Sequence, residues 1–362
     1  MAERHEVPIG VEIAAAWSWR LLIVGALGGA LIWLMRYFSE LTIPVAIALL
    51  ASALVMPAVD FLSRHKVPRV LAAAVVVISL VGLVFGLLAL VGQQVATQIT
   101  DLRVAVVDGI TKIQDWARTG PLGISDAQLQ SWIESGKDAI GPSDSSILNR
   151  AGSIGASITH LVAGFFIALF SMFFFLYEGD RIWSWLVRLF PRASRERVDS
   201  SGRTAWISLT SFVRATVVVA LIDAFGISLS AWALGVPLTL AIGVLVFFGA
   251  FVPIVGAFVS GLVAVLVALV AQGPWTALFM LLAVVAVQQI ESHVLQPFVM
   301  GHLVAVHPLA IIFAIAAGFT VAGIMGALIA VPLAACINGV VRHLADLSQP
   351  PLPFVPPPET AT

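Results

Sequence analysis

The sequence predicts an all-α, polytopic membrane protein with about seven or eight transmembrane helices. Hydrophobic residues make up 60% of its 362 residues and charged residues only 11%, whereas soluble domains are about half apolar and a quarter charged. Several apolar runs reach the length of about 20 helical residues that a bilayer requires. Two further pairs of apolar runs, both in the C-terminal half, are short and interrupted by glycine or proline, which predicts broken or re-entrant helices there.

Composition and missing motifs exclude several classes of function. The net charge of −1 argues against a nucleic-acid partner, and the single Cys336 cannot form an intrachain disulfide. The chain has no GxxxxGKS/T loop for ATP hydrolysis and no HExxH or GxSxG motif. Its histidines are too loosely spaced to predict a metal site. We therefore expect neither an enzyme nor a bound cofactor.

Five apolar runs have the continuity of ordinary spans. Helix is the expected conformation, because a helix satisfies its backbone hydrogen bonds internally in lipid. Aromatic residues flank several of the runs, as is usual at membrane interfaces. The runs cover residues 17–38, 42–62, 69–94, 151–177 and 213–234.

The charges of the connecting segments predict the orientation. The loop after the second run carries Arg64, Lys66 and Arg69, and the segment after the fourth run is rich in arginine. The segment 95–150 has seven acidic and five basic residues. Because short basic segments stay in the cytoplasm, we expect both termini to be cytoplasmic and the chain to lie in a bacterial cytoplasmic membrane.

The remaining segments predict smaller features. Apolar residues from Val95 to Ile113 recur at spacings of three and four, which favours an extracytoplasmic helical hairpin over a dedicated ligand-binding domain. A basic amphipathic segment follows Glu178 and is expected to lie in the membrane interface. The predicted organisation is 1–94 with three N-terminal spans, 95–150 as the outer hairpin, 151–212 as the fourth span and amphipathic segment, 213–342 as a core of broken helices, and 343–362 as a proline-rich, disordered tail.

Two carboxylates stand alone in the C-terminal half. Between Arg214 and Arg342 the only formally charged residues are Asp223 and Glu291. A carboxylate inside a span costs roughly 2.5–3.5 kcal/mol on insertion scales, so it usually faces a bundle interior or a watery path. Both residues are therefore candidate proton or ion sites, although another helix could simply satisfy Asp223.

Polar residues surround the second of these carboxylates. On a regular helix Gln288, Glu291 and Ser292 share one face, whereas Gln289 and His293 share another. Lipid cannot surround such a helix end, so it must meet protein or water. The alternative is a span that simply leaves the membrane at this point. Further along the chain, Pro297 and His307 extend the candidate polar path.

Two pairs of apolar segments are too short to cross the membrane as single helices. Segments 237–252 and 256–271 are separated by Pro253 to Val255, and segments 306–319 and 324–341 are separated by Thr320 to Gly323. Sixteen helical residues span about 24 Å, less than the hydrocarbon thickness of about 30 Å.

Interrupted pairs of this kind indicate the binding site of a transporter, because broken backbone exposes amides and carbonyls to a solute. On this interpretation Pro253, Gly256, Gly323 and Gly326 line the path. Ordinary kinked helices packed through small residues remain the alternative, and the sequence leaves open whether each pair spans fully or re-enters.

At these residues the chain resembles the autoinducer-2 exporter (AI-2E) family of bacterial membrane proteins. The resemblance extends in order from about residue 20 to residue 342. Its motifs are FFGAFVPIVGA at 247–257, QIESHVLQP at 289–297, VHPL at 306–309, GIMGALIAVPL at 323–333 and, upstream, FLYEGDR at 175–181. A hydroxyl-bearing residue often follows the first proline of the family, whereas this chain has Ile254.

The resemblance implies a homo-oligomeric secondary transporter that exports a small solute or signalling molecule, as in quorum sensing. Some relatives are described as sodium–proton or lithium–proton antiporters, so such an antiporter is a second hypothesis. A non-transporting membrane scaffold is the third. The expected partners are a small solute or cation, the lipid bilayer and further copies of the chain.

Overall fold

A computed structural model describes residues 9–119, 147–252, 255–295 and 307–347. All regular structure in these ranges is helical. A short 3-10 turn covers Arg192–Ser194, and a π-helical turn covers Glu291–Leu295. The α-helices are α1 (Ile9–Tyr37), α2 (Ser39–Arg64), α3 (Arg69–Thr119), α4 (Ile147–Arg188), α5 (Arg195–Ala233), α6 (Thr239–Gly249), α7 (Val255–Gln272), α8 (Pro274–Ile290) and α9 (Pro308–Leu347).

Seven of these helices are long and apolar enough to cross a bilayer, and α6 and α7 are shorter apolar helices. The prediction of an all-α, polytopic membrane protein is therefore confirmed. The third span continues beyond its apolar part as one helix of 51 residues. Residues 120–146 of the predicted outer hairpin and residues 348–362 of the predicted proline-rich tail lie outside the described residues.

Helices α2, α3 and α4 pack into an N-terminal bundle. Its buried centre combines small and branched side chains, which let the helices approach closely. Arg69, at the start of α3, donates from Nε to the Leu176 carbonyl of α4 at 3.1 Å. Helix α1 lies at the edge, and the most apolar part of it buries no residue. The buried residues of the bundle are Ala48, Val59, Ala72, Ala73, Val76, Val77, Met172 and Leu176.

Helix α5 connects this bundle to the C-terminal half. The junction between α4 and α5 is fixed by Trp183, whose indole Nε1 donates to Asp199 Oδ1 at 2.7 Å. The Trp183 ring lies where a side chain on Gly202 would be, so only glycine fits there without a shift. The end of α2, the start of α3 and the start of α5 meet at one end of the bundle. We call this end the basic face, because Arg64, Lys66 and Arg69 lie there.

Helices α6 and α7 form a first hairpin at the far end of α5. The carbonyl of Gly249 lies so close to Gly256 that a Cβ on Gly256 would overlap it. At the open end, Gln272 Nε2 donates to the Gly235 carbonyl in the turn between α5 and α6. This hairpin therefore enters from the face opposite the basic face. Its buried core with α5 and α8 consists of Ile227, Ala231, Val236, Ile242, Val246, Ala264, Ala268, Met280 and Val284.

Helix α9 is itself a second hairpin. Its backbone leaves the helical region at Ala322 (φ −142°, ψ 26°) and Gly323 (φ 60°, ψ −144°). Beyond the break, Gly326 lies against the carbonyl of Gly318. Residues eight apart are about 12 Å apart along a continuous helix, so this contact requires the chain to reverse.

The second hairpin enters from the basic face. Its second limb runs antiparallel to α5, because Val331 packs beside Phe212 while Cys336 Sγ donates to the Ala205 carbonyl at 3.4 Å, nearer the start of α5. The two hairpins therefore enter from opposite faces. The second pair is interrupted within the predicted residues 320–323, whereas in the first pair α6 already ends at Gly249 and α7 begins at Val255.

The tips of the two hairpins lie at a similar depth along α5. In the first hairpin Gly243 packs against Ser228 and the Ala224 carbonyl, and the tip follows about 10 Å later. In the second hairpin the tip lies about 12 Å beyond the level of Phe212. Counted along α5 from these two contacts, both tips therefore lie at about the level of Val219 and Ala220. This level is near the middle of the apolar part of α5.

Candidate functional site

Asp223 is the one residue with an ionisable carboxyl group among the buried residues that the structure describes. It lies on α5 about one helical turn from the level of the two tips, and it is only 4% exposed. Its Oδ1 atom is enclosed and has no hydrogen-bond partner among the described residues. Arg214 on the same helix is exposed and nine residues away, about 13 Å along the axis. Asp223 is therefore buried without a neutralising cation in the described part of the chain.

The side chain that meets Asp223 is Glu291. The two carboxyl groups lie close enough to interact electrostatically and to share a proton in a hydrogen bond. Helices α5 and α8 approach closely beside them, since a Cβ on Gly226 would lie 3.0 Å from Val287 Cγ2. The structure thus brings together the two carboxylates that sequence analysis identified separately. We call Asp223 and Glu291 the carboxyl pair.

A π-helical turn begins at Glu291 and ends at Leu295. Such turns insert an extra residue into the helical repeat and occur frequently at functional sites. Glu291 is half-buried, whereas its neighbours Gln289, Ser292 and His293 are exposed. The faces predicted for a regular helix hold up to Glu291, and beyond it the π-turn changes the register.

The other predicted polar residues lie at helix ends. Ser292 Oγ donates to the Gln289 carbonyl at 3.3 Å, and His293 Nδ1 lies 3.1 Å from the same oxygen. His307 Nδ1 accepts from the Leu309 backbone N–H at 3.3 Å, at the start of α9. Gln288, three residues before Glu291, is half-buried. Their role in a solute path remains a prediction, because these contacts would also serve to end one helix and begin another.

The predicted glycines lie at the two tips. Gly256 faces Gly249 in the first hairpin, and Gly323 and Gly326 form the turn and the close contact of the second. Ser260 on α7 is 1% exposed, and its hydroxyl donates to the Ala257 carbonyl at 3.3 Å. Pro253 and Pro297 lie outside the described residues.

Sequence analysis missed two side chains near this site. Gln94 and Gln98 of α3 accept hydrogen bonds from the backbone at the start of α6. The available signal was a pair of amides four residues apart in an otherwise apolar run, which places both on one helical face. The close partners Gly249 and Gly318 were also missed, because contacts between distant glycines leave no pattern in one sequence.

The carboxyl pair has a clear chemical capacity. A hydrogen bond between two carboxyl groups requires a proton on one of them, because an ionised carboxylate only accepts. Two carboxylates that share a buried site repel each other when both are charged. The described residues bring no three His, Cys, Asp or Glu side chains together at one place. The pair can therefore hold a proton, or release it to water and bind a monovalent cation in its place.

Comparison with known proteins agrees with this architecture. Residues 21–346 match the model of the AI-2E family transporters. MT0215 of Mycobacterium tuberculosis is 40% identical over 334 residues, covering 92% of this chain and 91% of the relative. YueF of Bacillus subtilis is 24% identical over 324 residues, covering 86% of each. TqsA of Escherichia coli is 21% identical over 320 residues, covering 86% of this chain and 88% of the relative.

The names of the first two relatives describe transport as a provisional assignment, and the third is named AI-2 transport protein. The family match covers nearly all of the chain that contains the spans, the two hairpins and the carboxyl pair. The protein is therefore a multi-pass membrane protein that belongs to the AI-2E family of transporters.

Proposed function

We propose that the chain is a secondary transporter that exports a small solute or signalling molecule from the bacterial cytoplasm. An ion gradient drives this export, and the carboxyl pair carries the coupling proton. The observation that supports the proposal is the position of Asp223 and Glu291, which meet about one helical turn from the tips of two opposed hairpins.

The energetics of the pair favour a proton as the coupling ion. A charge buried in the membrane interior is costly, and such residues commonly belong to proton relays. Asp223 has no cationic partner among the described residues, so one bound proton is the simplest way to relieve repulsion within the pair. Release of that proton leaves two negative charges in close contact and favours a rearrangement around them.

The two hairpins suit a solute path. Broken helices near the bilayer midplane expose backbone groups to a polar solute, and their movement gives access from alternating faces. TqsA is named for AI-2 transport, and autoinducer-2 is accordingly the first solute to test. The basic face carries Arg64, Lys66 and Arg69, and by the positive-inside rule we assign it, and both termini, to the cytoplasm.

Helix α1 suggests a further copy of the chain as a partner. It contributes no buried residue in its most apolar part, and its main contacts among the helices described are with α2 and α9. We propose that this helix faces lipid or a second copy in a homo-oligomer. Chemical cross-linking of the protein in native membranes tests the second possibility, which a purely monomeric pattern would contradict.

Reconstituted proteoliposomes test the proposed transport directly. We expect Asp223→Asn and Glu291→Gln each to abolish solute flux driven by a pH gradient. Asp60→Asn is the matched control, because Asp60 is an exposed carboxylate on α2 and its replacement leaves flux intact. Unchanged gradient-driven flux in both pair variants would overturn the coupling role.

A sodium–proton or lithium–proton antiporter is the second candidate. The observation that favours it is the contact between two carboxyl groups inside the apolar half, which can exchange a proton for a monovalent cation. A pH-sensitive dye inside the vesicles separates the two functions. An antiporter responds to added sodium or lithium alone, whereas a solute exporter responds only when its solute is present.

A further inference from the structure

Two glutamines of α3 bind the start of the first hairpin. Gln98 Oε1 accepts from the Leu238 backbone N–H at 2.8 Å, and Gln94 Oε1 accepts from the Ala241 N–H at 3.1 Å. Both glutamines are half-buried. Helix α3 is part of the N-terminal bundle, so these bonds connect the bundle to the hairpin.

The N–H groups that they satisfy need a partner. The first N–H groups of any helix have no acceptor within the helix, and a side chain at the preceding residue usually caps the second or third. The residue before α6 is Leu238, which has a left-handed backbone (φ 58°) and no side chain that can cap. Gln94 supplies the missing acceptor from α3, at Ala241.

Besides these bonds, α6 and α7 pack against α3, and the hairpin is also tied to its own neighbours. Gln272 at the end of α7 bonds to Gly235 before α6, so the two limbs are joined at their open end. The apolar core of the hairpin is shared with α5 and α8. A movement of the hairpin away from α3 must therefore break the glutamine bonds, while its internal contacts can persist.

We propose that Gln94 and Gln98 form a clasp that holds the first hairpin against α3, and that the clasp opens when the site becomes accessible from the face opposite the basic face. The role in access rests on the proposed transport function. The two glutamines are positioning residues, since they act on the backbone of α6 and not on the solute. The strength of the clasp sets how often the hairpin opens.

Variants that act in opposite directions test the clasp. The double change Gln94→Leu and Gln98→Leu removes both acceptors. Gln98→Glu keeps an acceptor oxygen and adds a negative charge, which is favourable at a helix N-terminus. Gln93→Leu and Gln93→Glu are matched controls, because Gln93 is an exposed neighbour on the same helix.

The measurements are amide hydrogen exchange of residues 238–241 in the full-length protein in lipid nanodiscs, and solute flux in proteoliposomes. Loss of two net hydrogen bonds is expected to speed exchange about thirtyfold and to raise the rate of flux. Gln98→Glu is expected to slow both exchange and flux. The Gln93 variants should match the parent in both measurements.

Unchanged exchange at 238–241 in the double leucine variant would overturn the clasp. If the double leucine variant speeds exchange and Gln98→Glu slows it while flux stays constant in both, the bonds only cap α6. That result would overturn their role in access. A parent protein without solute flux, whose amides nevertheless respond as described, would refute the transport function while supporting the clasp itself.

Discussion

The two halves of the molecule use glycine and buried polar groups differently. In α3 of the N-terminal half, Gly82, Gly86 and Gly92 have open space where a side chain would be. In the C-terminal half, Gly249 with Gly256 and Gly318 with Gly326 bring backbone against backbone. The first half is a frame of long helices, and the α3 glycines described there have no tight neighbour. The second half depends on glycine for the shape of its hairpins.

Buried polar residues show the same contrast. In α2 the buried Ser52 donates to the Ala48 carbonyl of its own helix, a bond that closes within one segment. In α5 the buried Asp223 depends on Glu291 from another helix. The first arrangement is independent of the packing between helices, whereas the second changes whenever α5 and α8 move. This difference indicates a static frame and a core in which function depends on relative position.

The largest predicted effect separates glycines of the two halves. Gly256→Ala and Gly326→Ala place a Cβ on the carbonyls of Gly249 and Gly318, and each is expected to cost about 1–3 kcal/mol of stability through overpacking. Gly86→Ala is expected to be neutral or to stabilise α3 by about 0.5–1 kcal/mol. Thermal unfolding in detergent measures all three. Equal melting temperatures for Gly256→Ala and Gly86→Ala would contradict the contrast.

A smaller effect on stability is expected when the buried carboxyl group of Asp223 is replaced. Asp223→Asn keeps the shape of the side chain but relieves a buried carboxyl whose Oδ1 has no hydrogen-bond partner among the described residues. We expect the variant to be as stable as the parent or more stable, by up to about 1 kcal/mol, while losing coupled flux. Unfolding at a much lower temperature would instead identify Asp223 as a structural residue.

The smallest effects are expected at the junction of the two halves. Trp183→Phe removes the hydrogen bond to Asp199 and should cost about 1 kcal/mol. Arg203→Gln removes a pair whose guanidinium is 65% exposed, and should cost less, because water and salt screen an exposed ion pair. Chemical denaturation that ranks Arg203→Gln as the more damaging change would argue against this account of the junction.

The sequence was sufficient for the features that depend on local chemistry. Composition and run length predicted the spans, and glycine and proline predicted where the two hairpins break, because these residues limit helix propagation. The isolation of Asp223 and Glu291 in an apolar half was visible as well.

Features that depend on distant contacts were not visible. The meeting of Asp223 with Glu291 depends on how α5 crosses α8, and the two helices approach closely where Gly226 faces Val287. The π-turn at Glu291 changes the helical register, which a regular helical wheel cannot anticipate. The caps from Gln94 and Gln98 join residues more than a hundred positions apart.

The most direct test of the central claim follows protons and solute together. Parent protein is reconstituted without any imposed gradient, autoinducer-2 is added on one side, and the internal pH is recorded while solute movement is measured. If the carboxyl pair carries the coupling proton, solute movement changes the internal pH in the parent and in Asp60→Asn, but not in Asp223→Asn. Proton movement of the same size in Asp223→Asn would contradict the claim.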